Sequence, residues 1–588
     1  MNRCCFVLLS ALHIVVAFLN GQTLPKREFR GVWISSVSNI DFPSRAGDTP
    51  DAQREEFQQI LDQHQRAGIN AVFVQIRPSS DALYQSAIEP WSQWLTGAQG
   101  RAPSPLWDPL RFMIEEAHKR GMELHAWFNP FRSVVSASSS IAPTHISQTQ
   151  PAWHLAYRSP HRLLNPGLPE VRNYVLSVIM DVVRRYDIDG VHFDDYFYPY
   201  EGTTTQDIAT FQQHSRGFSN IEDWRRDNVN IFVKAVSDSI RAVKPFIKFG
   251  ISPFGIWRNG VPSGTTGLDA YSVIYCDALA WLQARTVDYI IPQLYWRFGG
   301  GQDFARLMPW WNAQAIQAGR HMYAGLGVYR LTDAAWTADE IVRQIEFTRS
   351  QRGAGVSFFS SNALTRDIQG IRTAVQQGVL SFTALPTLMP WKDSIPPQPP
   401  RNLRAISMGT EIHLSWQAPQ PARDGDTAVK YVVYAFSDTM SMTLENPAAI
   451  VAITPELRWR GTRQRNATIR YAVTALDRLS NESAPVHILV APTASSLHQG
   501  SYKTGVQRIT PNPSYGQATI VFALAQPEHV RIDMVDNLGR IVLTILDEQR
   551  YTGEHSVELS SDQLPSGVYG IRFQTASTVE TVLLVVQK

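Results

Sequence analysis

The chain has 588 residues, which is too long for one ordinary domain and suggests about three or four. Hydrophobic residues make up 44% and charged residues 18% of it, a globular rather than a disordered composition. The 54 basic and 52 acidic residues nearly cancel. This balance argues against a dedicated nucleic-acid-binding protein, which would carry a basic stripe.

The first 22 residues have the pattern of a secretory signal peptide. Arg3 supplies the positive charge, residues 5–19 form an apolar core of the usual length, and Asn20 and Gly21 follow. A retained anchor is the alternative, but the stretch is short for a membrane span, and no later segment approaches about 18 uninterrupted apolar residues. We therefore predict an exported protein with no membrane span in its mature chain.

Cys276 is the single cysteine of the mature chain if Cys4 and Cys5 leave with the signal peptide. A mature chain with one cysteine has no internal disulfide and no cysteine-based zinc site. Its stability must come from packed cores.

Residues 28–385 alternate between short apolar runs and longer amphipathic stretches, as repeated βα units around a parallel sheet do. Eight strands are predicted, at 31–36, 71–77, 123–129, 190–195, 249–254, 289–295, 322–329 and 355–361. This pattern predicts an α/β fold, a (β/α)₈ TIM barrel with enlarged loops. A doubly wound open sheet is the alternative, although it would usually have fewer strands, and no glycine-rich phosphate loop follows the first strand.

Two small all-β sandwich domains are predicted after the barrel. Residues 396–491 begin with a proline-rich linker and continue as short alternating strands with no helix. Through Trp416, Tyr431 and Tyr471 this segment resembles a fibronectin type III domain, which implies a spacer.

Residues 505–588 form the second β module. Its signposts are Pro-Asn-Pro at 511–513, Asp-Asn-Leu-Gly-Arg at 536–540 and Leu-Pro-Ser-Gly-Val-Tyr at 564–569. They resemble the C-terminal sorting domain of the type IX secretion system, which implies passage across the outer membrane. An ordinary terminal β-sandwich is the alternative.

Chemistry in a (β/α)₈ barrel lies at the C-terminal ends of the strands. Because side chains alternate along a strand, the segment 190–195 predicts Val191 and Phe193 facing the outer helices. His192 and Asp194 then face the lumen, and Asp195 lies at the rim. A charge in a barrel centre is costly unless it is paired or used, so the two aspartates are the first catalytic candidates.

The other strands converge on the same mouth and predict a sugar site of arginine, amide and aromatic side chains. The predicted substrate-binding residues are Arg77, His125, Trp127, Asn129, His192, Tyr198, Gln293, Tyr295 and Trp296.

Each of these side chains has a structural alternative. Arg77 is the counter-ion of Asp194 in one interpretation, His125 and His192 are hydrogen-bonded interior histidines, and Trp127 is barrel packing. No His-x-x-x-His or comparable spacing supports a metal site, so we predict no metal and no cofactor.

Glycosidases commonly use two carboxyl groups, and here the spacing raises a difficulty. Adjacent strand residues point in opposite directions, so Asp194 and Asp195 form a facing pair only if the strand end bends. The alternative second carboxyls all follow a strand: Asp81, Glu89, Asp41 and Glu201. Asp81 ranks first because it follows closely after Arg77.

Four segments, at 28–33, 74–92, 125–130 and 189–199, resemble the glycosyl-hydrolase-like family ten, the YngK/YddW-type TIM-barrel proteins of bacterial envelopes. The first reads Glu-Phe-Arg-Gly-Val-Trp, the third His-Ala-Trp-Phe-Asn-Pro and the fourth Asp-Gly-Val-His-Phe-Asp-Asp-Tyr-Phe-Tyr-Pro. They occur in order across most of the barrel. The resemblance implies cleavage of peptidoglycan glycan strands stripped of their peptides, which are β-1,4-linked N-acetylated amino sugars.

The fourth segment is also similar to chitinase-type barrels, in which Asp-Gly opens a strand that ends in acidic residues followed by Tyr-Pro. The glutamate acid of those enzymes would fall near Tyr196, so the acid must be placed differently here. If the acetamide of the substrate is the nucleophile, the enzyme needs one acid and one carboxylate that orients the acetamide. Asp194 and Asp195 would suit those two roles.

These observations together predict a secreted or cell-surface glycoside hydrolase. Its expected partners are an amino-sugar polysaccharide and the type IX secretion machinery, without nucleic acid. The alternatives are a non-catalytic glycan-binding surface protein and a hydrolase of an external polysaccharide, because an exported protein does not obviously meet its own peptidoglycan.

Overall fold

The structure is a computed structural model that describes residues 24–135, 141–155, 161–408, 410–437, 440–463, 467–491 and 502–588. The predicted signal peptide, with Cys4 and Cys5, lies outside these residues, and Cys276 is buried. In the described part of the chain, none of the helices is both long and apolar enough to cross a membrane.

The first part of the chain alternates parallel strands with helices. Its strands are β1 (Phe29–Ile34), β2 (Ala71–Arg77), β3 (Glu123–Phe128), β4 (Arg132–Val134), β5 (Arg162–Leu163), β6 (Gly190–Phe193), β7 (Lys248–Ile251), β8 (Tyr289–Ile290), β9 (His321–Met322), β10 (Ala324–Leu326) and β11 (Gly355–Phe358). Its helices are α1 (Pro50–Arg66), α2 (Gln93–Thr96), α3 (Pro109–Lys119), α4 (Ile146–Thr149), α5 (Pro169–Arg185), α6 (Ile208–His214), α7 (Ile221–Val243), α8 (Ala270–Val273), α9 (Ala278–Gln283), α10 (Phe304–Ala318), α11 (Ala338–Ser350), α12 (Ser361–Thr365) and α13 (Ile371–Gln377).

Parallel pairing closes this sheet into a barrel. β1 pairs with β2 on one side and with β11 on the other, and pairing continues from β2 through β3, β6, β7 and β8 to β9. β9 and β10 are two parts of one strand, interrupted at Tyr323, and β10 pairs with β11, which completes the ring. The predicted (β/α)₈ barrel is confirmed, and each of the eight predicted strand segments overlaps a barrel strand.

Prolines end two barrel strands earlier than the sequence predicts. The predicted strand 289–295 is reduced to β8, which ends before Pro292, and β7 ends before Pro253. Proline has no N–H to donate, so it cannot continue a sheet ladder. As a result Gln293 and Tyr295 lie on irregular backbone at the mouth, where isolated parallel bridges from Gln293 to Phe254 and Gly325 keep the segment in line.

The barrel has two apolar layers, one between the strands and the helices and one inside the lumen. Val191 and Phe193 lie in the outer layer, as predicted. The lumen is filled by aromatic rings, among them Phe29, which stacks on Tyr323 with 4.0 Å between ring centroids. The barrel is therefore closed by side chains below its mouth.

Capping residues begin the longest helices. The Thr49 hydroxyl accepts from Ala52 N at the start of α1, which has Pro50 in its first turn. The Asn220 side chain accepts from two backbone N–H groups at the start of α7.

Residues 401–490 form a sandwich of two antiparallel sheets that packs against the barrel. The strands are β12 (Arg401–Met408), β13 (Glu411–Gln417), β14 (Lys430–Ser437), β15 (Ile450–Thr454), β16 (Arg458–Thr462), β17 (Ile469–Leu476) and β18 (Val486–Val490). Lys26 Nζ lies 2.7 Å from Glu482 Oε2, and Arg478 Nη1 lies 2.7 Å from Asp187 Oδ1. Lys26 and Asp187 precede barrel strands, so the sandwich covers the end of the barrel opposite to the mouth.

The C-terminal module is a separate compact unit with two antiparallel sheets and its own core. Its strands are β19 (Gly505–Thr510), β20 (Gln517–Leu524), β21 (Glu528–Val535), β22 (Ile541–Arg550), β23 (Gly553–Ser560), β24 (Gly567–Gln574) and β25 (Val579–Val586).

Candidate active site

Asp194 and Asp195 lie on the turn directly after a barrel strand. β6 ends at Phe193, so the alternation of side-chain direction along a strand ends before the pair. Asp194 is 6% and Asp195 1% exposed. The difficulty of two adjacent strand residues facing one pocket therefore does not arise.

Asp194 is held from the side of β3. Trp127 Nε1 donates to Asp194 Oδ2 over 3.3 Å, and the Asn129 amide donates to the same oxygen. Gln75 Nε2 donates to Asn129 Oδ1 over 2.6 Å, which fixes the orientation of the Asn129 amide. Trp127 and Asn129, which the sequence predicted as substrate-binding residues, thus position a carboxyl group.

Asp194 has a strongly perturbed carboxyl group. Burial raises its pKa to about 7, the Arg132 guanidinium opposes this rise, and the adjacent Asp195 adds to it. Near neutral pH, Asp194 therefore exists as both carboxylic acid and carboxylate, which is the condition that a general acid needs.

Asp195 is held from the loop that follows its own strand. The Tyr200 hydroxyl donates to Asp195 Oδ2 over 2.7 Å. Burial raises the pKa of Asp195, and hydrogen bonds from Tyr200 and Gln293 oppose the rise. Two neighbouring carboxyl groups are thus fixed by different elements of the barrel.

The sequence patterns did not point to Arg132, which lies beside both carboxyl groups and lowers the pKa of each. Its Nη2 donates to Asn129 Oδ1 over 2.9 Å, and its guanidinium lies 5.0 Å from the centroid of the Tyr196 ring. The available signal was its place in the chain, shortly after the Asn129-Pro130 end of the third family motif.

A cavity of about 690 Å³ opens at the mouth, a volume typical of a small-molecule or sugar site. Arg132, Tyr196 and Tyr200 line it, and the aspartates lie one layer beneath them. The rest of the lining comes from the loop after β1, the β4–β5 region and the loop after β6: Val37, Ser38, Val134, Val135, His161, Leu163, Pro199, Glu201, Gly202, Thr204 and Gln206. Of the alternative second carboxyls, Glu201 is the one on this wall.

His125 and His192 do not reach the cavity, because both are fully buried in the lumen. Trp33 Nε1 donates to His192 Nε2 over 3.1 Å, so the proton of His192 is on Nδ1, which lies 3.3 Å from the Tyr289 hydroxyl. The Tyr289 hydroxyl then donates to His125 Nδ1 over 2.8 Å. The prediction that these histidines bind substrate is corrected: they are interior hydrogen-bonding groups, the alternative left open above.

This hydrogen-bonded chain ends in a buried ion pair. His125 Nε2 lies 3.1 Å from Glu123 Oε2, and Lys248 Nζ donates to Glu123 Oε1. Burial alone would raise the pKa of Glu123, but the Lys248 ammonium holds it below its usual value. The charges of the lower lumen therefore compensate each other.

Arg77 is also fully buried, and its predicted contact with substrate is corrected. Its Nε and Nη2 bind the two carboxylate oxygens of Glu89 at 2.8 Å and 2.6 Å, and its Nη1 donates to Pro130 O over 3.1 Å. Glu89 also accepts from the Tyr174 hydroxyl over 2.9 Å. The counter-ion of Arg77 is thus Glu89 and not Asp194.

Asp81, the predicted additional catalytic residue, is fully buried within the loop after β2. It accepts from Ser79 N over 3.1 Å and from Gln99 Nε2 over 3.0 Å. Asp41 is similarly held, accepting from the Ser360 hydroxyl over 2.8 Å. Through these hydrogen bonds both carboxyl groups hold loop residues in place. The structure therefore does not bring Asp81 to Asp194 and Asp195.

Tyr198 points away from the mouth, against its prediction as a substrate-binding residue. It is fully buried in the outer layer, edge-on to Tyr275 with 5.0 Å between ring centroids. Beyond the end of β6 the chain turns and places the Tyr198 ring between the strands and the helices.

Gln293, Tyr295 and Trp296 are partly exposed, and their role in binding substrate stays a prediction. Tyr295 stacks on Phe359 with 5.6 Å between ring centroids, and Trp296 lies edge-on to Phe254 at 5.7 Å. Each ring is thus packed against one aromatic neighbour and partly exposed.

Two parts of the chain match known protein families. The family model described as glycosyl hydrolase-like 10 matches residues 28–341, and the secretion system C-terminal sorting domain matches residues 508–587. The chain is 39% identical over 477 residues to the glycosyl hydrolase YngK of Bacillus subtilis, covering 78% of this chain and 92% of that protein. It is 37% identical over 324 residues to the glycosyl hydrolase DigH of Escherichia coli, covering 51% and 73%.

Among solved structures, the PgaB (BpsB) glycoside hydrolase domain from Bordetella bronchiseptica aligns with a TM-score of 0.41 and 12% identity, over 59% of this chain and 98% of that one. The match to the sorting domain confirms the predicted type IX secretion module and the predicted export to the cell surface or beyond.

Proposed function

We propose that this chain, which belongs to the glycosyl hydrolase-like 10 family, hydrolyses glycosidic bonds in an amino-sugar polymer, with peptide-free peptidoglycan glycan strands as its substrate. One observation carries the proposal: two adjacent carboxyl groups with raised pKa values lie beneath a cavity of about 690 Å³ at the barrel mouth. Chemistry in barrels of this kind is located at that end.

Asp194 is the general acid in this proposal. Its pKa of about 7 keeps a large fraction protonated at neutral pH, and the fixed amide of Asn129 holds one of its oxygens. Protonation of the glycosidic oxygen by Asp194 would assist departure of the leaving sugar.

Asp195 is the carboxylate that orients the N-acetyl group of the substrate. The hydrogen bond from the Tyr200 hydroxyl favours its charged form. An oriented acetamide oxygen attacks the anomeric carbon, so the enzyme supplies an acid and an orienting carboxylate rather than its own nucleophile.

The sorting domain favours a second candidate substrate, an external polysaccharide. A protein carried to the cell surface meets glycans of its surroundings more readily than its own cell wall. The acid and the orienting carboxylate would be the same for any external polymer with N-acetylated amino sugars.

Substitution of the pair tests the proposal. We expect Asp194→Asn and Asp195→Asn to lower the rate at which new reducing ends appear from peptide-free glycan strands by about 1,000-fold. Asp81→Asn is the matched control, since it removes another buried carboxyl, and it should stay within about threefold of wild type. Circular dichroism shows whether each variant folds.

Two results would contradict the proposal. One is wild-type turnover in both Asp194→Asn and Asp195→Asn. The other is wild-type protein that binds the strands without releasing reducing ends, which would make it a glycan-binding surface protein.

A further inference from the structure

A row of four aromatic rings follows one side of the barrel mouth, on the loops after β6, β7 and β8. Tyr196 lies edge-on to Tyr200 with 5.0 Å between ring centroids, Tyr200 to Phe254 at 6.5 Å, and Phe254 to Trp296 at 5.7 Å. All four side chains are partly exposed. A row of partly exposed rings at the mouth differs from the lumen below, where Tyr289 and Tyr323 are fully buried.

The two ends of the row lie at two different cavities. Tyr196 and Tyr200 line the cavity of about 690 Å³ described above, and Trp296 lines a second cavity of about 320 Å³. The second cavity is formed by the loops after the sixth and seventh barrel strands: Arg297, Phe298, Gln302, Arg330 and Trp336. Gly299 and Gly300, at its rim, have positive φ values, and a Cβ atom on either would meet no atom within 4 Å.

The catalytic pair lies at the Tyr196–Tyr200 end of this row, beneath the two rings that line the larger cavity. Tyr200, the second ring, donates its hydroxyl hydrogen to Asp195, and Tyr196, the first ring, contacts Asp194 through its backbone N–H. Trp296 is two rings further on, on the far side of Phe254. The larger cavity continues on the other side of the pair, toward the loops after β1 and β3. A polymer that occupies this cavity and then follows the row therefore extends past the carboxyl groups in both directions.

We propose that these rings form the floor of one extended glycan cleft, with the cavity at Trp296 as its distal subsite, and that the enzyme cuts within polysaccharide chains rather than at their ends. The inference rests on the proposed function and adds the length and direction of the bound chain. Aromatic faces bind the apolar faces of sugar rings, and the arginine and amide groups around Trp296 bind hydroxyl or carboxylate oxygens. A site that acts at chain ends would instead be closed on one side of the carboxyl pair.

The experiment compares wild type with Trp296→Ala on peptide-free glycan strands and on a series of shorter oligosaccharides from the same polymer. We expect KM for long strands to rise about tenfold, the effect of one lost stacking contact, and the penalty to shrink as the substrate shortens. Trp310→Ala is the matched control, since it removes a partly exposed tryptophan on α10. It should leave KM unchanged at every substrate length. The first products of wild type should be internal fragments of mixed size.

Two results would overturn the inference: an unchanged KM for long strands in Trp296→Ala, or release of a single product size from chain ends. A failure of the proposed function is distinguishable, since wild type would then release no reducing ends. In that case the Kd of the protein for long strands tests whether the cleft exists. A wild-type Kd about tenfold lower than that of Trp296→Ala supports the cleft, and equal Kd values overturn it.

Discussion

The lower lumen and the mouth of the barrel both bury carboxyl groups, with opposite electrostatic results. In the lower lumen Glu123 is paired with Lys248 and hydrogen-bonded to His125, and its pKa is held below the usual value. At the mouth Asp194 and Asp195 lie side by side, and burial raises the pKa of each. The carboxyl groups are buried in both regions. The difference in their pKa values therefore comes from the direct cationic partner that Glu123 has and the two aspartates lack.

This difference separates a structural charge from a chemical one. A compensated carboxylate keeps one protonation state over the physiological pH range and stabilises the barrel only while its partner is present. A carboxyl group with a raised pKa changes its protonation state near neutral pH, and the fold gives up stability to keep it buried. Three further substitutions sharpen or break the comparison.

Removing the cation of the lower lumen should have the largest effect on stability. Lys248→Met leaves the Glu123 carboxylate buried without its partner, and we expect the free energy of unfolding to fall by about 3–5 kcal/mol. Denaturant unfolding followed by tryptophan fluorescence measures it. The double variant Glu123→Gln/Lys248→Met is the control and should recover more than half of the loss. A loss of less than about 1 kcal/mol in Lys248→Met would mean that Lys248 does not compensate the charge of Glu123.

At the mouth, removal of a titratable charge should instead stabilise the protein. The pKa of Asp194 is raised when folded, so the folded state retains a proton that the unfolded chain releases, and stability falls as pH rises from about 4 to about 7. Asp194→Asn removes the contribution of Asp194 to this dependence, and we expect its free energy of unfolding to exceed that of wild type by about 4 kcal/mol at pH 8, with little difference at pH 4. A difference that does not vary between these pH values would contradict the raised pKa.

The smallest expected effect concerns Arg132, whose charge lowers the pKa of Asp194. With Asp194 as the acid, kcat/KM falls as pH rises above about 7, and Arg132→Gln should move this fall upward by about half a pH unit. Arg132→Lys keeps the charge and serves as the control, with its fall in kcat/KM near that of wild type. An unshifted pH profile in Arg132→Gln would exclude an electrostatic role for Arg132.

Prediction from the sequence succeeded where a periodic pattern or a continuous motif carried the information. The eight barrel strands follow from alternating apolar runs, and the Asp194–Asp195 position follows from strand order, since the mouth collects the residues after each strand. It failed for residues whose partners no local pattern identifies. Arg77 looked like a ligand group because Glu89 was not recognisable as its partner. Arg132 was missed because nothing in its local pattern places it beside Asp194.

The sequence by itself determined the α/β barrel, the two β-rich modules that follow it and the acidic pair at the end of β6, because these depend on local periodicity and chain order. The tertiary structure alone decided which buried polar groups are compensated and which are not. Charge compensation depends on distances of a few ångströms between residues far apart in sequence, such as Glu123 and Lys248, and no local pattern encodes those distances.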